Sequence, residues 1–349
     1  MTSACGKGLS VTAALRCTVF GAGYLGIVHS SCLASVGVPV LCVDTDAGRV
    51  AQLSGGELPI FERGLAELLS AGLASGLLRF TTSYQVAAEF GSVHFLCVGT
   101  PQRPDGGGAD LSQLDNCVRE LAPLLTRPCL IVGKSTVPVG TAASLAATIA
   151  QLAPAGDAAE LAWSPEFLRE GHAVEDSLHP DRLVLGVQST RAEQILRLAL
   201  AAPISAGTSV IVTDLATAEL AKVAANSFLA TKISFINAMA EVCQAAGADV
   251  TALAGILGTD PRIGREYLRP GLGFGGGCLP KDVRAFAARA AELGAVGAVA
   301  LLRDVDSINL RLRAAIADVA CQLAGGELTG VAVAVLGAAF KPGTDDVRD

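Results

Sequence analysis

The 349-residue chain has little charge and few aromatics: Asp, Glu, Lys and Arg make up 17% of it, and Phe, Trp and Tyr 4%. It has no basic run, and 26 basic against 33 acidic residues leave a net charge of −7. That excludes the basic, aromatic-interleaved surface of a nucleic-acid binder. A long hydrophobic run is also missing. The charge-free stretch 135–156 is broken by Pro138, Gly140 and Pro154, whereas a membrane-spanning helix needs about 20 mostly apolar residues. Lys7 and Arg16 bracket a weak, glycine-broken segment without the apolar block of a signal peptide. The expectation is a soluble, cytoplasmic protein with no membrane partner. The ten cysteines include no CxxC pair, and His29, His94, His172 and His179 show no ligand spacing, so no metal site is expected.

What is present fits a folded chain of about two domains at roughly 150 residues each. Hydrophobic residues reach 51%, which excludes disorder. Strand and helix patterns alternate from Arg16 to Val212: strands at 16–20, 38–43, 93–98, 129–132, 160–162, 183–187 and 209–212, with helices between them except between 160–162 and 183–187. This alternation predicts an α/β fold with a mostly parallel, doubly wound Rossmann-type sheet over 16–213. From Asp214 to Ala246 there is neither Gly nor Pro, and apolar residues recur helically. A single helix on the order of 45 Å is expected there, too long for a crossover and suited to a connecting or dimer-forming role. Further helices near 249–257, 280–293 and 297–324 complete a central helical region over 214–325. Val331–Leu336 reads as a new strand followed by a turn, the start of a second Rossmann-like domain over 329–349. A lone strand makes no domain, so the expectation is a C-terminally truncated protein, weak or inactive beside a longer form.

Two glycine-rich stretches carry chemistry. Gly21, Gly23 and Gly26, with Tyr24 and Leu25 between them, form GxGxxG between a strand and a helix. Gly21 permits the tight turn, Gly23 lets backbone approach a pyrophosphate, and Gly26 allows helix against strand. Asp44, 18 residues beyond Gly26 at the end of the next strand, is placed to bind a ribose 2′-OH and favours NAD over NADP, with Arg49 a weak counter-signal. The second stretch, GLGFGGGCLPKD at 271–282, sets Cys278 beside a helix start, with Pro280 as the first helical residue and Lys281 nearby. Both surroundings favour a thiolate nucleophile; the alternative is a buried structural cysteine. Asp282 lies four residues on. Lys222 and Asn226 share a face of the long helix at i, i+4, Lys222 being either functional or a lysine snorkelling at the helix edge. Loops at 134–140 and 163–171 sit at strand ends, where α/β ligands bind.

Together, the runs GAGYLG, LPIFERGL, VGTP, KSTVPVGT, SPEFLREG, HPDRLVLG, TAELAKVAANSFLATKISFIN, DPRIG, GLGFGGGCLPKD and FKPGTDDVR resemble, in order, the UDP-glucose/GDP-mannose dehydrogenase family, and within it the UDP-glucose 6-dehydrogenase branch. The resemblance implies NAD-dependent four-electron oxidation of the C6 alcohol of UDP-glucose to a carboxylate, without metal, through a thiohemiacetal and a thioester on Cys278. It implies Lys222 and Asn226 at the oxyanion, and Asp282 with Thr136 and Glu166 in proton transfer and water attack. Thr100, Thr136, Glu170 and Arg348 would contact NAD. Glu166, Phe167, Leu168, Arg169, Lys222, Asn226, Tyr267, Gly273, Phe274, Gly275 and Lys341 would hold the substrate. Arg262 would reach the substrate of a neighbouring subunit in a homodimer or larger homo-oligomer. A GDP-mannose or UDP-N-acetyl-hexosamine 6-dehydrogenase, or an inactive truncated copy, are the alternatives. The chain departs from the family pattern at Ser164, at Arg63, at Asp349 and at Gly277, where glycine is expected to loosen the thiol loop.

Overall fold

The computed structural model describes residues 15–348; Lys7 and Asp349 lie outside them. The chain folds as two units. The first takes the chain up to Gly99, with Ser112–Ser135 and Gly140–Ala218. The second takes Thr100–Leu111, Thr136–Val139 and the chain from Glu219 onward.

The first unit is built on eight strands: β1 Cys17–Phe20, β2 Val40–Val43, β3 Leu78–Thr81, β4 Val93–Leu96, β5 Cys129–Gly133, β6 Ala159–Trp163, β7 Arg182–Gly186 and β8 Ser209–Thr213. Their order is β3-β2-β1-β4-β5-β6-β7-β8. β1, β2, β4 and β5 are short apolar runs, buried at every position, as expected of parallel strands covered on both faces. Phe20 pairs with Val43 on one side and Leu96 on the other. The strand order therefore reverses at β1, and the crevice at the carboxyl ends of β1 and β4 is the site where such sheets bind ligands. The sheet is parallel through β6. β7 then meets β6 antiparallel at Trp163 and Gly186, and β8 runs parallel to β7. Trp163 is fully buried, and its indole lies where a side chain at Gly133 would stand, so β5 ends in glycine for packing reasons.

The helices of this unit are α1 Tyr24–Ser35, α2 Ala47–Ser54, α3 Leu65–Ala74, α4 Tyr84–Phe90, α5 Ser112–Leu121, α6 Thr141–Leu152, α7 Ala173–Leu178, α8 Thr190–Ala199 and α9 Ala201–Ser205. α2 and α4 start at Asp46 and Ser83, whose side chains accept main-chain N–H groups of the first turn. Leu65 and Leu69, fully buried one turn apart on α3, contribute about 1.5–3 kcal/mol each by burial.

α10 (Leu215–Ala246) has 32 residues, about 48 Å of helix. Within the second unit Val223, Asn226, Ala230, Ser234 and Asn237 form its buried face. α11 (Val250–Thr259), α12 (Leu279–Glu292) and α13 (Val296–Leu323) follow. Phe274, Val283, Leu302 and Val305 pack with Ala230 as the core of this unit. Among the described residues no helix is long and apolar enough to cross a membrane.

One expected element does not form. Val331–Leu336 is irregular, with Val335 82% and Leu336 96% exposed. A strand needs a neighbour to satisfy its N–H and C=O groups, and among the described residues no strand pairs with 331–336. The start of a second Rossmann-like domain is thus present as sequence pattern and not as a strand.

Candidate functional site

The glycine turn of the first unit has the shape that the sequence predicts. Gly21 is left-handed at φ +93° and lies against the main chain of Cys97 and Val98. A side chain on Gly26 would overlap the carbonyl oxygen of Gly21. Gly23 faces open space and caps α1 without any side-chain hydrogen bond. The first amides of α1 are therefore available to a phosphate. Asp44 Oδ2 accepts the N–H of Ala22 at 2.8 Å, and Oδ1 that of Asp46 at 2.9 Å. The acid is thereby fixed beside the turn, with Arg49 Nη1 3.5 Å away. The open cradle, the uncapped helix and the fixed acid fit a dinucleotide. Leu25 packs against the sheet core. The hydroxyl of Tyr24 is not turned to a ligand: it donates to Glu62. Burial and that neighbour push the phenol far above its ordinary range.

Glu62 was not foreseen. It is 4% exposed and also accepts the N–H groups of Gly171, at 2.7 Å, and Ala173, at 3.0 Å. The loop it anchors carries Glu166, whose Oε1 accepts the N–H groups of Phe167 and Leu168 at 2.9 and 3.2 Å. Oε2 of Glu166 pairs with Lys134 at 3.0 Å, and Lys134, 3% exposed, also donates to the Ser164 carbonyl at 3.3 Å. Lys134 stands in the KSTVPVGT run, but nothing in its spacing marks it as the partner of Glu166. Of the remaining loop residues, Phe167 stacks under Arg182 at 4.0 Å, Leu168 packs on the core, and Arg169 is paired bidentately with Asp176 at 2.9 and 2.6 Å. Glu170 is half-buried beside Tyr24.

The second unit gathers another set. Asp282, 2% exposed, accepts Asn226 Nδ2 at 2.7 Å and Lys281 Nζ at 2.6 Å. Lys222 lies one turn before Asn226 on α10 and is half-buried. Asp282 and Thr136 line one cavity with Val223, Lys281, Phe286 and Arg289. Thr136 is fixed from its main chain, its carbonyl accepting the hydroxyl of Thr100 at 2.7 Å. Cys278 is the N-cap of α12 and is exposed, and its carbonyl accepts the N–H of Asp282 at 2.9 Å. Among the described cysteines it alone is exposed. Burial pushes the thiols of Cys17, Cys32, Cys42 and Cys117 up to about 12, which leaves them inert. The reading of Cys278 as a buried structural cysteine is excluded by its exposure.

The turn before Cys278 is held from several sides. Phe274 is buried, with its main chain bonded to Asn309; Gly273 is left-handed at φ +90° against the same side chain; and Gly275 is half-buried. Asp346 Oδ2 accepts the N–H of Gly277 at 3.1 Å, and Arg348 pairs with Asp346 at 2.7 Å. A side chain on Gly277 would run into that guanidinium. Gly277 thus admits Arg348 close to the turn, where a looser loop was expected. Lys341 lies 5.4 Å from the Phe340 ring. Two further residues were expected at a substrate. Arg262 is 86% exposed and paired with Asp260 at 2.6 Å, and Tyr267 is the one non-glycine residue at positive φ among those described, at +64°. Among the described residues no group of three or more His, Cys, Asp or Glu side chains converges as a metal site would require.

A reversed-order parallel sheet, an open glycine turn and an acid at the end of β2 define a nicotinamide-dinucleotide-binding oxidoreductase fold. Residues 15–203 match the NAD binding domain of the UDP-glucose/GDP-mannose dehydrogenase family, and residues 216–311 match its central domain; the chain belongs to this family. It is 40% identical over 337 residues to a UDP-glucose 6-dehydrogenase of Rhizobium meliloti, covering 96% of this chain and 76% of that one. It is 41% identical to another from Pseudomonas aeruginosa, covering 96% and 74%. Among solved structures, a UDP-glucose dehydrogenase of Pyrobaculum islandicum superposes with a TM-score of 0.87 at 37% identity, over 98% of this chain and 78% of that one.

Proposed function

We propose that the protein oxidises the C6 alcohol of UDP-glucose to the carboxylate of UDP-glucuronate with two equivalents of NAD+. The observation that carries the reading is Cys278: the exposed N-cap of α12, in the same helix start as a buried aspartate held by Asn226 and Lys281. NAD+, when bound, supplies the hydride acceptor for each of the two oxidations. The glycine turn and the first amides of α1 hold the pyrophosphate, and Asp44 the ribose hydroxyls.

The covalent work falls to the second unit. Once the alcohol has lost a hydride from C6 and a proton from its oxygen, Cys278 Sγ bonds to the aldehyde carbon. The developing oxyanion is met by Lys222 and Asn226 and is protonated to a thiohemiacetal. Loss of the second hydride from C6, with the hydroxyl proton, leaves a thioester. Water, deprotonated at Asp282, adds to that carbon; the C–S bond breaks, and the carboxylate and the thiol are released. A bond to sulfur keeps the reactive aldehyde from leaving, which a four-electron oxidation in one site requires. Asp282 is suited to this by its fixed place, Asn226 and Lys281 each holding one of its oxygens. Glu166 and Thr136 take part in proton transfer, and Arg348, Thr100 and Glu170 in holding the cofactor.

Counting NADH formed per UDP-glucose consumed tests the reading. A ratio of about two is expected from the stepwise chemistry, and a ratio of about one leaves Cys278 without its role. Turnover of a UDP-N-acetyl-hexosamine in place of UDP-glucose would keep the chemistry and change the substrate. That reading has support in a Pyrococcus horikoshii UDP-D-ManNAc dehydrogenase of TM-score 0.86 and 28% identity, over 96% of this chain and 78% of that one.

The protein acts as a homodimer or larger assembly in this reading. Phe228, Phe235 and Val242 recur every seven residues on α10 and are 67%, 48% and 57% exposed, an apolar stripe suited to a second copy. Sedimentation at micromolar concentration is expected to give at least twice the 35.3 kDa chain mass; a monomer would remove this part of the proposal, and with it the role of Arg262 at a neighbour's substrate.

A further inference from the structure

The turn that carries Cys278 is suspended from two long helices by two buried asparagines. On α13, Asn309 is fully buried. Its Oδ1 accepts the N–H of Phe274 at 2.8 Å, and its Nδ2 donates to the carbonyl of the same residue at 2.9 Å. One side-chain amide thus satisfies both main-chain groups of one loop residue, as a neighbouring strand would. Arg313, one turn on, donates to the same carbonyl at 3.1 Å. On α10, Asn237, 2% exposed, accepts the N–H of Gly271 at 2.9 Å. Ser234, beside it, donates to the carbonyl of Val305 on α13 at 2.8 Å, tying the two helices together at the level of the turn.

We propose that Asn309 is a positioning residue: it fixes the 273–278 turn, and through it the thiol of Cys278, for the covalent step. The inference rests on reading Cys278 as the nucleophile. Asparagine is the side chain that fits. A turn rich in glycine has no side chains with which to hold itself and is costly to order, so its shape must be imposed from outside. Aspartate at 309 keeps the acceptor for the Phe274 N–H but sets an oxygen against the Phe274 carbonyl. Alanine leaves the Phe274 N–H unsatisfied in a buried place and its carbonyl with Arg313 alone. Gly273 completes the fit, since any side chain there would overlap Asn309 Oδ1. Asn309 touches no reacting atom, so its effect passes through the turn.

Two variants reach the same contact from opposite sides: Asn309→Asp on the helix and Gly273→Ala on the turn. Each is read by kcat, by the KM for NAD+, and by the rate at which iodoacetamide alkylates Cys278, followed on its own peptide by mass spectrometry. A misplacement of about 1 Å at a reacting group costs on the order of 100-fold, and that fall in kcat is expected in both variants. The KM for NAD+ is expected to stay near that of the parent protein. Alkylation of Cys278 is expected to slow severalfold as the sulfur loses its fixed place at the start of α12. A folded Asn309→Asp protein with parental kcat and parental alkylation overturns the proposal, even if its melting temperature falls, because the residue then only stabilises the fold. Should that variant fail to fold, Asn309→Gln, which keeps the amide but displaces it by one methylene, decides by the same two readouts. Alkylation needs no substrate, so a wild-type ratio of one NADH per UDP-glucose would sink the covalent reading while leaving the positioning result legible.

Discussion

At the glycine turn of the first unit, main chain does most of the holding. Gly21 lies against the backbone of Cys97 and Val98, and Asp44 is fixed by the N–H groups of Ala22 and of Asp46, two residues on. At the thiol turn of the second unit, side chains do the holding, from far along the chain. Asp282 is bonded to a residue 56 positions away, Phe274 to one 35 away and Gly277 to one 69 away. A cradle of backbone tolerates change in most of its side chains as long as the glycines stay. A cradle of side chains concentrates the same task in a few residues, and the loss of one removes a bond that no neighbouring main chain replaces. The difference suits the two tasks. On the proposed function, a cofactor that enters and leaves needs an open, preformed surface, whereas Cys278 as nucleophile must be held within a fraction of an ångström of its reacting atom.

The comparison can be broken at either end. Replacing Cys278 by Ala has the largest expected effect: carboxylate formation falls by at least about 10³-fold, as for loss of a nucleophile elsewhere, with NAD+ affinity by calorimetry unchanged. A variant that lost NAD+ binding as well would show that the two sites are not separable. Replacing Asp44 by Ala has the smaller effect and the opposite pattern. The N–H of Ala22 loses its acceptor and the ribose a charged partner, worth about 1.5–3 kcal/mol, or roughly 10- to 100-fold in NAD+ affinity. Alkylation of Cys278 in that variant is expected at the parental rate; a change there would show that the turn of the first unit also governs the thiol.

The same contrast explains what could be read in advance. Strands β1, β2, β4 and β5 and helices α1, α6 and α10 follow from local apolar runs, and the glycine turn and Asp44 from a spacing within 30 residues. Cys278, Lys222, Asn226 and Asp282 could be picked out as candidates, and the fold brings Asn226 onto Asp282. Their supports could not. Asn309 is one of several polar residues on α13, and only the fold reveals that it faces Phe274. Lys134 and Glu166 are 32 positions apart, and Glu62 lies in a loop with no periodicity. The strand expected at 331–336 failed for the converse reason: local pattern supplies an apolar run, but a strand exists only through its neighbour.

Glu62 carries a consequence for how the first unit assembles. Its one carboxyl group joins segments 38 positions away, at Tyr24, and 109 and 111 away, at Gly171 and Ala173. Because closure entropy grows only as the logarithm of loop length, the 109-residue closure costs about 1 kcal/mol more than the 38-residue one. Two distant loops are thus gathered at little extra entropic cost, but late. Contacts of such high sequence separation form after the local helices and short-range pairings, so the loops that meet at Glu62 are among the last segments of this unit to find their places.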